Sequence, residues 1–292
     1  MSIETITILH PGEMGASVGA AVSGVGRRVI WCSEGRSSQT LGRAAAFGLE
    51  DVASPSRVVS DSDLILSVCP PQFAEDVAVQ VIALGYQGLY ADLNAIAPPK
   101  AERIARRTEA AGAAYVDGGI VGSPVRMAAG RPVRRPSNAR VYLSGARADE
   151  VRRCFDSGLM EAIVLQGPLT AASALKMAYA SYTKVHSAHI AAVVAVATRT
   201  GVVEALKEEW ARSHPGLFER ALSGLRGSAP KAWRYVPEMH EIAATYAAAG
   251  LPTGFQDAAA ELYQRLADHK EEETPPAGER LIDELFGVPA AR

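Results

Sequence analysis

The chain has 292 residues, of which 48% are hydrophobic and 21% are charged, and its formal net charge is -2. This composition is typical of a globular protein and excludes a largely disordered chain. Its 30 basic and 32 acidic residues leave no basic excess of the kind that nucleic-acid binding usually requires. The length is sufficient for two domains of ordinary size, each with its own core.

The cysteines Cys32, Cys69 and Cys154 are odd in number and far apart, so they indicate neither a disulfide framework nor a zinc site. We therefore expect a reducing, cytoplasmic compartment. The N-terminus lacks the basic start of a signal peptide. The apolar run at 188–197 has about half of the ~20 residues that a membrane crossing needs. We expect neither a membrane nor a nucleic acid as a partner.

Short apolar runs alternate with amphipathic stretches through the first half, which predicts a parallel sheet covered by helices. Several of the runs are apolar nearly throughout, as strands buried on both faces should be. The predicted strands are residues 5–9, 29–32, 64–68, 88–93, 114–117 and 139–144. The predicted helices are residues 15–24, 39–48, 72–84 and 99–112. Residues 127–138, with three arginines and two prolines, are expected to form an exposed loop.

After Gly167 and Pro168 the pattern changes to Ala-rich helices with no convincing strand. We predict a domain boundary here, with an α/β domain at 1–167 and an all-α domain at 168–292. The helix at 170–200 contains no Gly or Pro and is the expected spine of the second domain. The further predicted helices are residues 203–213, 216–224, 236–249 and 255–270.

The first strand leads into a turn that resembles a dinucleotide-binding fingerprint. Gly12 would let the backbone approach a pyrophosphate, and Gly15 would let the following helix pack closely on the strand. His10 stands where the GxGxxG pattern has its first glycine. Because a second strand ends about 20 residues later, we predict a Rossmann-type doubly wound sheet. The cofactor-binding residues of this turn are Gly12, Glu13, Met14 and Gly15.

The end of the second strand carries signals for both nicotinamide cofactors. Glu34 could bind the ribose hydroxyls of NAD, whereas Arg36 and Ser37 suit the 2′-phosphate of NADP. Ser33 occupies the strand-end position itself. We expect NADP, with NAD as the alternative. We also assign Cys69 and Pro70, which follow the strand at 64–68, to the cofactor site.

Four segments carry a family resemblance: PGEMG at 11–15, DLNAIAP at 92–98, DGGIVGSP at 117–124 and ALKM at 174–177. The chain resembles the β-hydroxyacid dehydrogenase superfamily, which includes 3-hydroxyisobutyrate and 6-phosphogluconate dehydrogenases and the imine reductases. The segments EGRS, ASALKMAYASYTK and KAWRYVPEMHEIAATY are similar to a branch whose C-terminal domain has no known function. The resemblance implies an NAD(P)-dependent oxidoreductase and a homodimer formed through the helical domain.

The resemblance also implies roles for individual residues. Asn94 would lie beside the nicotinamide, and Lys176 would be the catalytic lysine. The substrate-binding loop would contain Val121, Gly122 and Ser123.

Three positions depart from the family pattern. Val121 stands where a serine holds the substrate, Ala180 where an asparagine is expected, and Glu238 follows Pro237 where a lysine precedes an aspartate. These departures leave the usual hydroxyacid-binding set incomplete. Specific assignment as a 3-hydroxyisobutyrate dehydrogenase therefore does not follow, and the substrate is not named by the sequence.

The helix with Lys176 has an unusually polar face. At 3.6 residues per turn, Lys176, Tyr179, Ala180, Thr183 and Lys184 share one side of it. This pattern predicts a polar cavity in which Lys176 is the general acid and base and Tyr179 shares that role. Ala180, Thr183, Lys184 and Glu238 would then bind substrate. The alternative interpretation is an ordinary solvent-exposed face.

Three functions compete. The first is an NADP-dependent dehydrogenase or reductase that acts on a small carbonyl/alcohol pair. The second is an imine reductase, against which the lysine at position 176 argues, because that group usually carries aspartate or tyrosine there. The third is a non-catalytic cofactor-binding protein, which the missing first glycine favours. The scattered histidines predict no metal.

Overall fold

The structure of the chain, a computed structural model, describes residues 2–24, 26–125, 127–128, 131–132, 139–270 and 272–286. It divides into two compact units, residues 1–177 and 178–292. The division falls after Met177 rather than after Gly167. The reason is that residues 172–176 hydrogen-bond to the sheet of the first unit.

The first unit is built on an eight-stranded sheet with the order β10-β9-β6-β5-β4-β1-β2-β3. All neighbouring strands are parallel except β6 and β9. The strands are β1 (Thr5–Ile8), β2 (Arg28–Trp31), β3 (Glu50–Asp51), β4 (Leu64–Ser67), β5 (Leu89–Asp92), β6 (Ala114–Val121), β9 (Arg140–Ser144) and β10 (Glu161–Val164). A separate antiparallel pair consists of β7 (Met127–Ala128) and β8 (Arg131–Pro132).

Helices of the first unit connect the strands. They are α1 (Glu13–Val22), α2 (Ser38–Ala46), α3 (Pro55–Asp61), α4 (Ala74–Ala83), α5 (Pro98–Ala110), α6 (Ala148–Arg152) and the start of α7 (Ala171–Ala180). This architecture confirms the predicted Rossmann-type domain, followed by an all-helical region.

Alternating side chains of the central strands supply two hydrophobic cores, one on each face of the sheet. Leu64 and Leu66 of β4 belong to one core, and Ile65 belongs to the other. All three are fully buried, and burial of one such side chain contributes about 1.5 to 3 kcal/mol. The near-continuous apolar runs of the sequence therefore reflect burial on both faces.

The second unit is entirely helical among its described residues. Its long helical run continues from α7 through a π-helical segment (Ser181–Val185) into α8 (His186–Arg199). Helices α10 and α13 pack on α8, and α11 packs on α12. The other helices are α9 (Val203–Ser213), α10 (Leu217–Ser228), α11 (Ala232–Ala248), α12 (Gly254–Gln264) and α13 (Gly278–Glu284). No described helix is long and apolar enough to cross a membrane.

Among the described strands and α-helices, the sequence did not predict β3, α3, α6, β10 and α13. Strand β3 has two exposed residues, and β10 is an edge strand that is only partly buried. Neither has the apolar alternation that marks a strand. The predicted loop at 127–138 contains β7 and β8, and the rest of it lies outside the described residues.

Candidate active site

The glycine turn after β1 has the two spatial properties that a dinucleotide site needs. A Cβ at Gly15 would lie 2.0 Å from the carbonyl oxygen of His10, so only glycine allows α1 to pack on this turn. A Cβ at Gly12 would have no atom within 4 Å, which leaves open space before the helix. The first N–H groups of a helix have no partner within the helix and favour an anion. Glu13 is exposed in that first turn, and Met14 packs against the core.

His10 gives the turn an unusual neutral imidazole. Its carbonyl oxygen accepts a 2.8 Å hydrogen bond from the Gly12 N–H. Its buried Nδ1 has no hydrogen-bond partner among the described residues. Burial, together with the charge of Arg36, lowers the pKa of His10 to about 4. The side chain is therefore uncharged at neutral pH.

The loop between β2 and α2 holds the predicted adenosine-end residues. Ser33 donates its N–H to Asp51 over 3.0 Å. Arg36 is exposed, and its charge acts on both His10 and Cys69, which lie in the loops after β1 and β4. Ser37 is the N-cap of α2, because its hydroxyl accepts the N–H of Thr40 over 3.3 Å. The positive charge of Arg36 therefore acts on the loops at the carboxyl edge of the sheet, whereas the Ser37 side chain caps α2.

Asn94 joins the loops that follow β4 and β5. Its Oδ1 accepts the Cys69 N–H over 2.5 Å, and its Nδ2 donates to the Ser67 hydroxyl over 3.0 Å. The residue is almost fully buried, so its side chain orders the backbone of this predicted cofactor region. Burial and the charge of Asp92 raise the pKa of Cys69 to about 12, which keeps the thiol protonated. Pro70 precedes a short 3-10 helix.

The predicted substrate loop begins where β6 ends. Val121 is the last strand residue, and only 4% of it is exposed, so its side chain belongs to the core. This burial argues against the predicted contact between Val121 and a substrate. Gly122 has φ +116°, a conformation that favours glycine, and it turns the chain out of the sheet. Ser123 is exposed directly after that turn.

Lys176 lies against the same end of β6. Its Nζ donates a 2.8 Å hydrogen bond to the carbonyl oxygen of Ile120. A Cβ at Gly119 would lie 2.8 Å from the Lys176 Cβ and 3.0 Å from the carbonyl oxygen of Ala172. Glycine at 119 therefore permits the close approach of α7 to β6. The ammonium is held at the carboxyl end of the sheet, where ligands bind in doubly wound folds.

Two buried carboxyl groups lie beneath this edge, and the sequence analysis did not assign a role to either. Asp92 of β5 and Asp117 of β6 are register partners, and both are completely buried. Burial raises the pKa of Asp92 to about 7 and that of Asp117 to about 6. The sequence did contain a sign of these groups, because each is an acidic residue within or at the end of an otherwise apolar strand. Acidic residues are rarely buried unless they have partners.

The five residues predicted to share a helix face lie in different environments. Tyr179 is 47% exposed, whereas Ala180 is 2% exposed. The hydroxyl of Thr183 donates back to the carbonyl oxygens of Tyr179 and Ala180. The prediction assumed 3.6 residues per turn, but the π-helical segment changes that period from Ser181 onward. The period on which a common face of Lys176 and Lys184 was predicted therefore does not hold beyond Ala180.

Lys184 and Glu238, which were both predicted to bind substrate, contact each other directly as an ion pair between the π segment and α11. Their side chains are 16% and 14% exposed. The Lys184 ammonium also lies 4.4 Å from the ring centre of Tyr235. Each charge is thus neutralised within the second unit. Among the described residues, no group of His, Cys, Asp or Glu could hold a metal ion.

Two family models match separate parts of the chain. Residues 5–133 match the NAD binding domain of 6-phosphogluconate dehydrogenase. Residues 197–266 match a domain of unknown function, DUF1932. The first part of the chain is therefore an NAD-binding domain of the 6-phosphogluconate dehydrogenase type. Because DUF1932 follows it, the predicted superfamily and its branch are both confirmed.

A curated relative comes from Methanothermus fervidus. An uncharacterized 28.5 kDa protein of Methanothermus fervidus is 27% identical over 177 residues. The alignment covers 61% of this chain and 64% of that protein, so the chain matches less than two thirds of its relative.

Solved structures of similar fold include dehydrogenases and reductases. A conserved protein of unknown function, described as structurally similar to 3-hydroxyacid dehydrogenases, is 26% identical with a TM-score of 0.64, and the match covers 91% of this chain and 97% of that one. The 3-hydroxyisobutyrate dehydrogenase of Mycobacterium tuberculosis is 18% identical with a TM-score of 0.68, over 98% and 99% of the two chains. An imine reductase of Streptomyces aurantiacus is 18% identical with a TM-score of 0.52, over 96% and 99%. At 18% identity, the similarity to the last two proteins shows a common fold only.

Proposed function

We propose that the protein is an NADP-dependent oxidoreductase that transfers a hydride between the nicotinamide and a small carbonyl/alcohol substrate of the β-hydroxyacid type. The observation that carries this proposal is the position of Lys176. Its ammonium is held by the Ile120 carbonyl at the carboxyl edge of the sheet, in a chain whose first half is an NAD-binding domain.

The glycine turn fits a dinucleotide. Gly12 leaves open space at the start of α1, and Gly15 lets the helix approach the turn closely. Arg36 supports NADP over NAD, because a guanidinium forms charge-assisted hydrogen bonds to a phosphate. Glu34, in the same loop, supports the alternative cofactor, NAD.

Lys176 supplies the proton in this proposal. NADP(H) supplies or accepts the hydride when it is bound. In reduction, the Lys176 ammonium donates a proton to the substrate oxygen as the carbonyl becomes an alcohol. In oxidation, the amine removes that proton. The hydrogen bond to the Ile120 carbonyl orients Nζ. Because this acceptor is a backbone carbonyl, it does not change its protonation with pH.

Ser123 is the better candidate for a substrate contact in the loop after β6, because it is exposed while Val121 is buried. Tyr179 is exposed on the same helix as Lys176, which supports a secondary role in proton transfer or substrate binding. Thr183 is half-buried, and the pairing of Lys184 with Glu238 weakens the proposal that either one binds a charged substrate.

Two alternative functions differ from the proposed one in the reaction that they predict. An imine reductase would share the fold, and a lysine at position 176 argues against it. A non-catalytic cofactor-binding protein would bind NADPH without turning over any carbonyl. The three free cysteines support a reducing, cytoplasmic location.

We also propose a homodimer formed through the helical unit. Large side chains with high exposure follow the long helical run and its neighbour α12: Tyr182 is 71%, Val196 is 62% and Phe255 is 72% exposed. A groove of about 230 Å³ lies on this face between Tyr182, His189 and Phe255. A second copy of the same face would cover these apolar surfaces through two-fold symmetry.

A substrate panel tests the proposal. NADPH oxidation is followed with small aldehydes, 2- and 3-keto acids and cyclic imines, at saturating cofactor. Turnover of an aldehyde or keto acid with little turnover of imines is the expected result. Preferential imine turnover would establish the imine reductase, and tight NADPH binding with no turnover across the panel would favour the non-catalytic protein.

A further inference from the structure

Polar side chains of two strands meet the first turn of α7. Asp117 of β6 and Ser144 of β9 are register partners, and both are completely buried. Asp117 accepts the Ser173 N–H over 2.7 Å and the Ser173 hydroxyl over 2.5 Å. Ser144 accepts the Ala172 N–H over 2.9 Å and donates to the Leu169 carbonyl over 2.7 Å. Two N–H groups in the first turn of α7, those of Ala172 and Ser173, are therefore bound by side chains of the sheet.

Lys176 follows Ser173 by one helical turn. At Gly119, β6 lies so close to α7 that a Cβ there would lie 2.8 Å from the Lys176 Cβ. The Lys176 ammonium donates a hydrogen bond to the carbonyl of Ile120, the next residue of the strand. Asp117, which binds the start of α7, and Ile120, whose carbonyl accepts the hydrogen bond from Lys176, thus belong to the same strand. A shift of α7 along β6 would move the ammonium away from Ile120.

The group that binds the start of α7 is the carboxylate of Asp117, although a neutral side chain would also be sufficient to hold a helix. Serine or asparagine caps a helix without placing a carboxylate in the core, and burying a carboxylate is costly unless hydrogen bonds compensate. Here the two bonds from Ser173, one from its N–H and one from its hydroxyl, supply that compensation. An ionised group at the N-terminus of α7 also interacts favourably with the helix dipole.

We propose that Asp117 is a positioning residue for proton transfer: it fixes α7 against β6 and thereby holds the Lys176 ammonium at its working position. This inference rests on the proposed function, because it assumes that Lys176 transfers the proton. Asp117 itself touches neither substrate nor cofactor in this account. Its effect is expected in kcat and not in cofactor affinity.

Three variants and one control test the geometry. Asp117→Asn keeps the shape and removes the charge, Ser173→Ala removes one donor, and Ser173→Thr retains it. Thr108→Val is the control, because Thr108 is equally buried and its hydroxyl bonds only within α5. With the most rapidly reduced compound of the panel, Asp117→Asn and Ser173→Ala should lose roughly 10- to 100-fold in kcat.

The NADPH Kd should stay within about twofold in both variants, as expected for a change confined to catalytic orientation. Ser173→Thr should recover most of the kcat, and Thr108→Val should lose melting temperature but not kcat. Unchanged kcat in both Asp117→Asn and Ser173→Ala would overturn the proposal. If Asp117→Asn does not fold, the comparison of Ser173→Ala with Ser173→Thr decides the question.

A double-mutant cycle with Lys176→Met separates this inference from the proposed function. If Asp117 acts through Lys176, Asp117→Asn should lower kcat much less in the Lys176→Met background than in wild type. Equal factors in both backgrounds would mean that Asp117 acts independently. Amide hydrogen exchange of residues 169–177, measured without ligand, should be faster in Asp117→Asn. Unchanged exchange would reject the anchoring role, whereas near-wild-type kcat in Lys176→Met would reject the proposed function instead.

Discussion

Arg36 is the residue on which cofactor choice depends in this account. It is exposed in the loop after β2, and its charge acts on His10 and Cys69 across the edge of the sheet. In the proposed function it binds the 2′-phosphate that distinguishes NADP from NAD.

Arg36→Ala should weaken NADPH binding by about 1.5 to 3 kcal/mol, the value of a hydrogen bond to a charged group, which is roughly 10- to 150-fold in Kd. NADH affinity should stay unchanged, and Arg36→Lys should be intermediate because it keeps the charge but not the planar fork. Fluorescence titration of both cofactors measures this. A wild-type preference for NADH would instead identify Glu34 as the ribose ligand.

The buried carboxyl group of Asp92 should make the free energy of unfolding depend on pH. Burial raises its pKa from 3.8 to about 7, so between these values the folded protein binds more protons than the unfolded chain. The free energy of unfolding must therefore fall as pH rises through this window, by at most about 1.4 kcal/mol per pH unit for one group. Asp92→Asn keeps an acceptor for the Asn94 N–H and removes the titration.

The melting temperature of Asp92→Asn should thus change less between pH 5 and pH 8 than that of wild type. Asp149→Asn is the matched control, because Asp149 is an exposed carboxylate and its loss changes the net charge equally. The same pH dependence in Asp92→Asn and wild type would contradict this assignment of the buried charge.

At the scale of elements, regular periodicity was the reliable guide. Helix α9 has the predicted ends, residues 203 and 213, and the central strands of the sheet were found because their apolar runs are continuous. Strand β3 has only two exposed residues and no such pattern. The predicted strand at 114–117 is the first half of β6, which continues to Val121 through the segment that was assigned to the substrate-binding loop. The sequence could not show that Asp117 binds Ser173, because that contact joins residues 56 positions apart.

The π-helical segment was not predicted from the sequence, and it bears directly on the helix face assigned to the candidate site. The face drawn through Lys176 and Lys184 assumed one unbroken α-helix, and a change of helical type within it leaves no mark in hydrophobic periodicity. It places Lys184 against Glu238 of α11, where Tyr263 also donates to the Lys184 carbonyl over 2.8 Å. The pair therefore connects the long helical run to α11.

Removing one charge of this pair should cost more than removing both. Lys184→Met and Glu238→Gln should each destabilise the protein by about 3 kcal/mol, because each leaves a poorly solvated charge without its partner. The double variant should be more stable than either single variant. Chemical denaturation of the four proteins measures the coupling, and simple additivity would show that the two charges do not interact.

At the scale of the whole molecule, the exposed apolar face of the helical unit predicts the oligomeric state. Val196→Arg places a charge on α8 within the proposed contact, where burial in a dimer would be costly. Sedimentation equilibrium should give a dimer for wild type at micromolar concentration and a monomer for Val196→Arg.

Leu84→Arg is the control for that change, since Leu84 is 45% exposed in the first unit, outside the proposed contact. It should remain dimeric. A monomeric wild type, or a Val196→Arg variant that dimerises as tightly as wild type, would refute the proposed interface.

The central claim is that Lys176 transfers the proton, and its most direct test is kcat of Lys176→Met. Methionine keeps the apolar length of the side chain and removes the ammonium that donates to Ile120. The variant should melt within a few degrees of wild type and bind NADPH as tightly, yet lose at least ~10²-fold in kcat, the lower end of what a positioned general acid contributes. A kcat close to that of wild type, measured on folded protein saturated with NADPH, would contradict the account.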